Sequence, residues 1–114
     1  MAYQFSDANF QSEVIDSGKL TVVDLWAEWC GPCKMMNPVI EELSAEYEGR
    51  AVIGKLNVDE NSEVPTNYSV RGIPTFLIFK DGELKDKVTG AQTKKVLQDK
   101  IEALLPKKTA VAAA

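Results

Sequence analysis

The sequence contains no histidine and only two cysteines among its 114 residues. The first absence removes the side chain whose ordinary pKa suits proton transfer near neutrality. Together they weigh against a structural zinc site, which takes four Cys or His ligands; only a dimer or unusual carboxylate help could complete one. Long apolar runs are missing as well, none approaching the roughly 20 residues needed to span a bilayer. So are clusters of Lys and Arg, and a net charge of −4 has the wrong sign for a nucleic-acid surface. The opening stretch MAYQFSDANFQSEV has neither a basic n-region nor an apolar h-region. It does not read as a secretory signal, and a cytoplasmic location is expected. No internal repeat and no Gly/Ser linker divides the chain. One domain is expected over residues 1–105, with residues 106–114 (PKKTAVAAA) as a flexible tail that has neither periodicity nor turn chemistry.

What is present reads as an α/β protein of ordinary globular composition, 45% hydrophobic and 26% charged. Tyr3–Phe5 suits a short edge strand. Ser6 is placed to cap a helix over Asp7–Asp16, with Phe10, Val14 and Ile15 on its inner side. Leu20–Ala27 is a nearly continuous apolar run rich in β-branched residues, the pattern of a strand buried on both faces. A helix to about Tyr47 follows, with Cys33, Met36, Ile40, Leu43 and Tyr47 at helical spacing. Ala51–Asp59 reads as a second central strand and Glu63–Tyr68 as a short helix. Asp81-Gly82 between Thr75–Lys80 and Glu83–Thr89 signals a two-residue hairpin. Thr93 suits the cap of a last helix carrying Val96, Leu97, Ile101, Leu104 and Leu105. This order implies a mixed sheet with helices on both faces and right-handed crossovers.

Both cysteines fall in WAEWCGPCKMM, separated only by Gly31 and Pro32. Two thiols so close are half a metal site, a crosslink or a redox switch. Metal is disfavoured above, and a disulfide closing a loop of about four residues stabilises by only roughly 2 kcal/mol. The switch is left. Cys30 should lie at the start of the helix, where Pro32 fits the first turn without losing a needed N–H. The positive helix end favours a thiolate there and makes Cys30 the nucleophile. Cys33, one turn later on the inner face, should be the less exposed thiol, which resolves the mixed disulfide that Cys30 forms.

WAEWCGPCK, the later RGIPT and the hairpin FKDGE resemble the thioredoxin family over roughly residues 3–105. The resemblance implies a three-layer α/β/α fold with a mixed five-stranded sheet flanked by four helices. It also gives meaning to Asp24, a carboxylate inside TVVDLWA. Taken alone, Asp24 belongs on a wet face of its strand; with both faces covered it is buried, and burial raises a carboxyl pKa. In the family the matching Asp deprotonates the second cysteine, here Cys33, and Lys55 matches its partner, against the plain reading of an exposed strand lysine. An X-Pro bond is trans by default, but the resemblance implies cis at Pro74. Ile73 then offers backbone to an extended substrate, beside a groove that includes Gly90 and Ala91. Trp29 is implied as a docking residue and Trp26 as packing beneath the turn. Gly31 and Pro32 match the dipeptide of the reducing members and tune the redox potential. Leu25, where many relatives carry Phe, is a change of core volume only.

The expected function is a thiol–disulfide oxidoreductase that reduces cytosolic protein disulfides through Cys30 and Cys33. It needs no cofactor beyond that disulfide and is recycled by a thioredoxin reductase. Its expected partners are that reductase and disulfide-bearing proteins, with no nucleic acid, no membrane and a monomeric state. The alternatives are a disulfide isomerase or oxidase, an iron–sulfur cluster shared by a dimer, and a scaffold whose thiols are incidental.

Overall fold

The computed structural model describes residues 2–106, so the tail expected from residue 106 onwards lies, apart from Pro106, outside the described residues. Strand β1 (Tyr3–Phe5) leads into helix α1 (Asp7–Phe10). The Ser6 hydroxyl accepts the Asn9 N–H at 3.2 Å and the Asn9 side-chain oxygen accepts the Ser6 N–H at 2.8 Å, a reciprocal cap. The sequence suggested one α-helix from Asp7 to Asp16. Instead the chain widens after Phe10 into a π-helical turn, Gln11–Ile15, and the Asp16 N–H bonds the Gln11 carbonyl at 2.8 Å. The reason lies in the apolar spacing. Phe10 and Ile15 are five apart and would diverge on an α-helix, whereas the wider turn brings both against one core.

Strand β2 (Thr21–Trp26) is buried at all six positions, Asp24 included, as its nearly continuous apolar pattern implies. It runs into the cysteine turn and helix α2 (Gly31–Glu46), which buries Cys33, Met36, Ile40 and Leu43 and carries Pro38 internally. Then come β3 (Val52–Asn57), the short α3 (Glu63–Asn67), β4 (Thr75–Lys80), β5 (Glu83–Thr89) and α4 (Lys94–Leu104). The β4–β5 turn places Asp81 and Gly82 at φ of 56° and 77°, the positive pair that a tight hairpin takes and that Asp-Gly tolerates best. Thr93 caps α4 by accepting the Val96 N–H at 3.2 Å.

The sheet order is β1-β3-β2-β4-β5. β2 pairs parallel to β3 and antiparallel to β4, and β1 joins β3 in parallel. Met36, Ile40 and Leu43 of α2 and Leu97 and Ile101 of α4 pack with Val22, Ile53, Phe76 and Ile78 on one face. Phe10, Val14 and Val64 pack with Val23, Leu25, Leu56, Leu77 and Phe79 on the other. The result is the three-layer α/β/α arrangement with β2 at its centre, and Leu25 is fully buried there. Among the described residues no helix is long and apolar enough to cross a membrane.

Candidate active site

At the carboxyl end of β2 the chain leaves the sheet through Ala27, whose carbonyl accepts the Cys30 N–H at 3.2 Å. Cys30 is extended (φ −92°, ψ 107°) and is the N-cap of α2. Its sulfur accepts the Cys33 N–H at 3.2 Å, the position in which a capping side chain meets the unpaired donors of a first helical turn. A thiolate at this sulfur would gain both that hydrogen bond and the helix dipole. The two cysteines are joined as a disulfide, with Cα atoms 5.3 Å apart. Cys30 keeps 5% of its surface exposed and Cys33 none, so Cys30 is the more accessible of the two. Trp26 and Ala27 pack against both, with Val58 and Ile73 at the edge. Gly31 and Pro32 are exposed at the helix start.

Asp24 lies two residues before Trp26 and therefore on the same face of β2, the face that α2 covers. It is fully buried, and neither carboxylate oxygen has a hydrogen-bond partner among the described residues. Burial pushes its pKa up to about 7, opposed by the positive charge of Lys55. The backbone register sets Lys55 on β3 and Phe76 on β4 directly beside Asp24. The sequence suggested Lys55 as the partner of this carboxylate. Its positive charge opposes the rise of the Asp24 pKa, while its ammonium donates to the Asn37 side-chain oxygen at 3.4 Å and lies 4.7 Å from the centre of the Trp26 ring. The charge acts on Asp24 through space, without a hydrogen bond.

Beyond the disulfide, the Ile73–Pro74 peptide is cis. The Ile73 carbonyl oxygen is 3.9 Å from the Cys30 sulfur. Pro74 is buried, and its carbonyl accepts the Gly90 N–H at 2.8 Å, which ties the end of β5 to this segment. Ala91 is exposed next to it. Trp29 is 71% exposed, and its indole N–H donates to Asp59 at 3.3 Å. A groove of about 430 Å³ runs from Trp29 to Ile73 past Val58, Pro65, Thr66 and Arg71. The fold thus gathers Cys30, Cys33, Trp29, Ile73, Pro74 and Gly90 on one rim and places Asp24 and Lys55 beneath it.

Three contributors escaped the sequence reading: Asn37, Asp59 and Arg71. Asn37 carried one usable signal, its place one helical turn after Cys33. Asp59 had none, because its partner Trp29 is thirty residues away. Among the described residues no group of three or more Cys, His, Asp or Glu gathers in a way that could hold a metal ion.

Comparison with known proteins gives consistent results. The thioredoxin family model matches residues 1–103. A thioredoxin of Chlorobaculum thiosulfatiphilum is 50% identical over 100 residues, covering 88% of this chain and 93% of that protein. A thioredoxin of Rickettsia felis is 48% identical over 99 residues, covering 87% and 94%. One from Synechocystis is 47% identical over 102 residues, covering 90% and 95%.

Proposed function

The chain belongs to the thioredoxin family, and from that premise we propose how its residues divide the work of a thiol–disulfide oxidoreductase. The carrying observation is the Cys30 sulfur at the N-cap of α2, hydrogen-bonded by the Cys33 N–H. In the reduced protein the Cys30 thiolate attacks one sulfur of a substrate disulfide. A new S–S bond forms and the other substrate sulfur leaves as a thiolate. Cys33 then gives its proton to Asp24 and attacks the Cys30 sulfur. The second substrate thiolate leaves, and the Cys30–Cys33 disulfide seen in the structure is the product. Two electrons pass from the protein's dithiol to the substrate. The redox group is the protein's own cysteine pair.

Asp24 suits the acceptor role because a buried carboxyl with a pKa of about 7 takes and returns a proton near neutrality. The charge of Lys55 keeps that value from rising further. Trp29, Ile73, Pro74, Gly90 and Ala91 form the docking rim, where the Ile73 backbone, beside the Cys30 sulfur, pairs with an extended substrate strand. Gly31 and Pro32 set the redox potential through the turn they form. Disulfide-bearing proteins are the substrates and a thioredoxin reductase restores the dithiol. We place this single domain, over residues 1–105, in the cytoplasm, where a dithiol carrier is kept reduced.

Insulin reduction by the protein in the presence of dithiothreitol tests the division of labour. Cys30→Ser should abolish turnover. Pre-reduced Cys33→Ser mixed with insulin after the dithiothreitol has been removed should accumulate a stable mixed disulfide with substrate, visible as a mass adduct that added thiol removes. An adduct through Cys33 in the Cys30→Ser protein, with none in Cys33→Ser, would reverse the assignment.

A further inference from the structure

Asp24 and Lys55 face each other across the β2–β3 ladder, yet the charged ends do not meet. A lysine stem is long enough to reach a carboxylate on the neighbouring position of an adjacent strand. An unpaired buried carboxylate should draw it strongly, since ion attraction grows as solvent is removed. Something must therefore hold the ammonium elsewhere. Two groups do so in the structure. The Asn37 side-chain oxygen accepts from Lys55 Nζ at 3.4 Å, and the Trp26 ring lies under the same ammonium with its centroid 4.7 Å away. Asn37 stands on α2 about one helical turn beyond Cys33, so the acceptor is fixed to the element that carries the resolving thiol. Both Asn37 and Lys55 are half-buried, which shields their bond from competing water.

We propose that Asn37 is a positioning residue that holds the Lys55 ammonium over Trp26 and away from Asp24, leaving that carboxyl unpaired and able to accept the Cys33 proton. The proposal rests on the reading of Asp24 as proton acceptor. The groups bearing on Asp24 are few. From β3 comes Lys55; the cysteines at the start of α2 are joined as a disulfide and titrate only when reduced. β4 presents Phe76, which does not titrate, and the apolar side chains of α4 on this face, Leu97 and Ile101, do not either. Among the described residues Lys55 is thus the one cation whose placement tunes the site, and Asn37 sets that placement. With Asn37 shortened, the ammonium is free to swing to the carboxylate, and a direct ion pair favours the charged form of Asp24.

The test is an NMR titration of the Asp24 carboxyl carbon in the oxidised protein, where the thiols do not titrate. Wild type, Asn37→Ala, Lys55→Met and the double variant are compared. Asn37→Leu, which keeps the bulk and removes the acceptor, serves as a second probe of the same contact. The Asp24 midpoint should fall by about one pH unit in Asn37→Ala and in Asn37→Leu. The shift should vanish when Lys55 is Met. An unchanged midpoint, a raised one, or an equal fall in the Lys55→Met background would each overturn the proposal. The pH profile of mixed-disulfide resolution in the reduced protein is read alongside. It should move down with the midpoint. A midpoint that moves while this profile stays fixed would support the tether and overturn the reading of Asp24 as acceptor.

Discussion

Replacing Asp24 with Asn removes a buried charge while keeping the shape of the side chain. Its effect on stability has a definite dependence on pH. The folded protein holds the Asp24 pKa at about 7, raised by burial from 3.8. Below the lower value the carboxyl is neutral in both folded and unfolded chains and contributes no difference. Between the two values the native state binds more protons than the unfolded state, so stability falls as pH rises. Above about 7 the loss is complete. A shift of about three units at about 1.4 kcal/mol each gives a penalty on the order of 4 kcal/mol at neutral to alkaline pH. Asp24→Asn does not carry this penalty. Its own cost, a buried amide without partners, resembles that of the neutral acid and does not change with pH. Urea melts of both oxidised proteins at several values from about pH 4 to about pH 8 measure the difference. The variant's advantage should climb by several kcal/mol across that range, and titrations elsewhere in the chain cancel because they are shared. A difference that stays flat with pH would refute the reasoning, since it would leave Asp24 with an ordinary pKa and a hydrated carboxylate.

Two further outcomes follow from the geometry. In the reduced protein at mildly acidic pH, iodoacetamide should label Cys30 well before Cys33, because Cys30 has the capping hydrogen bond and the exposed edge; equal rates in a mass-spectrometric time course would remove the basis for naming Cys30 the nucleophile. Gly54→Ala should destabilise the fold by about 1–3 kcal/mol, since a Cβ there would lie 2.5 Å from the Tyr3 carbonyl oxygen and 2.7 Å from the Phe5 ring, and an unchanged urea midpoint would mean that β1 yields without cost.

The parts of this fold that the sequence exposes are those where one local pattern has one structural solution. An eight-residue apolar run can only be a strand covered on both faces or a stretch of buried helix, and its β-branched residues decide for β2. Asp81-Gly82 between two alternating segments leaves only a tight hairpin. The turn from Gln11 to Ile15 is different. Its spacing already held the five-residue interval that a π-turn serves, but such turns are rare enough that an ordinary helix is the natural first reading. In the site, the cysteine turn is legible because all its residues are contiguous. The ammonium of Lys55 illustrates the opposite case. Register alone puts it beside Asp24, and only the packing of α2 across the sheet shows that Asn37 and Trp26 take it. Asp59 under Trp29 belongs to the same class, a pairing made by the fold between segments that carry no mutual signal.

The place of β2 in the sheet has a consequence for how the molecule breathes. From Thr21 to Leu25 this strand is paired on both sides, with β3 and with β4, and every side chain along it is buried. The edge strands β1 and β5 each pair with one neighbour only, β3 and β4. β2 cannot open until the sheet itself comes apart, so its backbone protons exchange with solvent only through the rarest and costliest openings of the chain. The sulfur pair is mounted at the end of that strand, on the part of the molecule that lets go last.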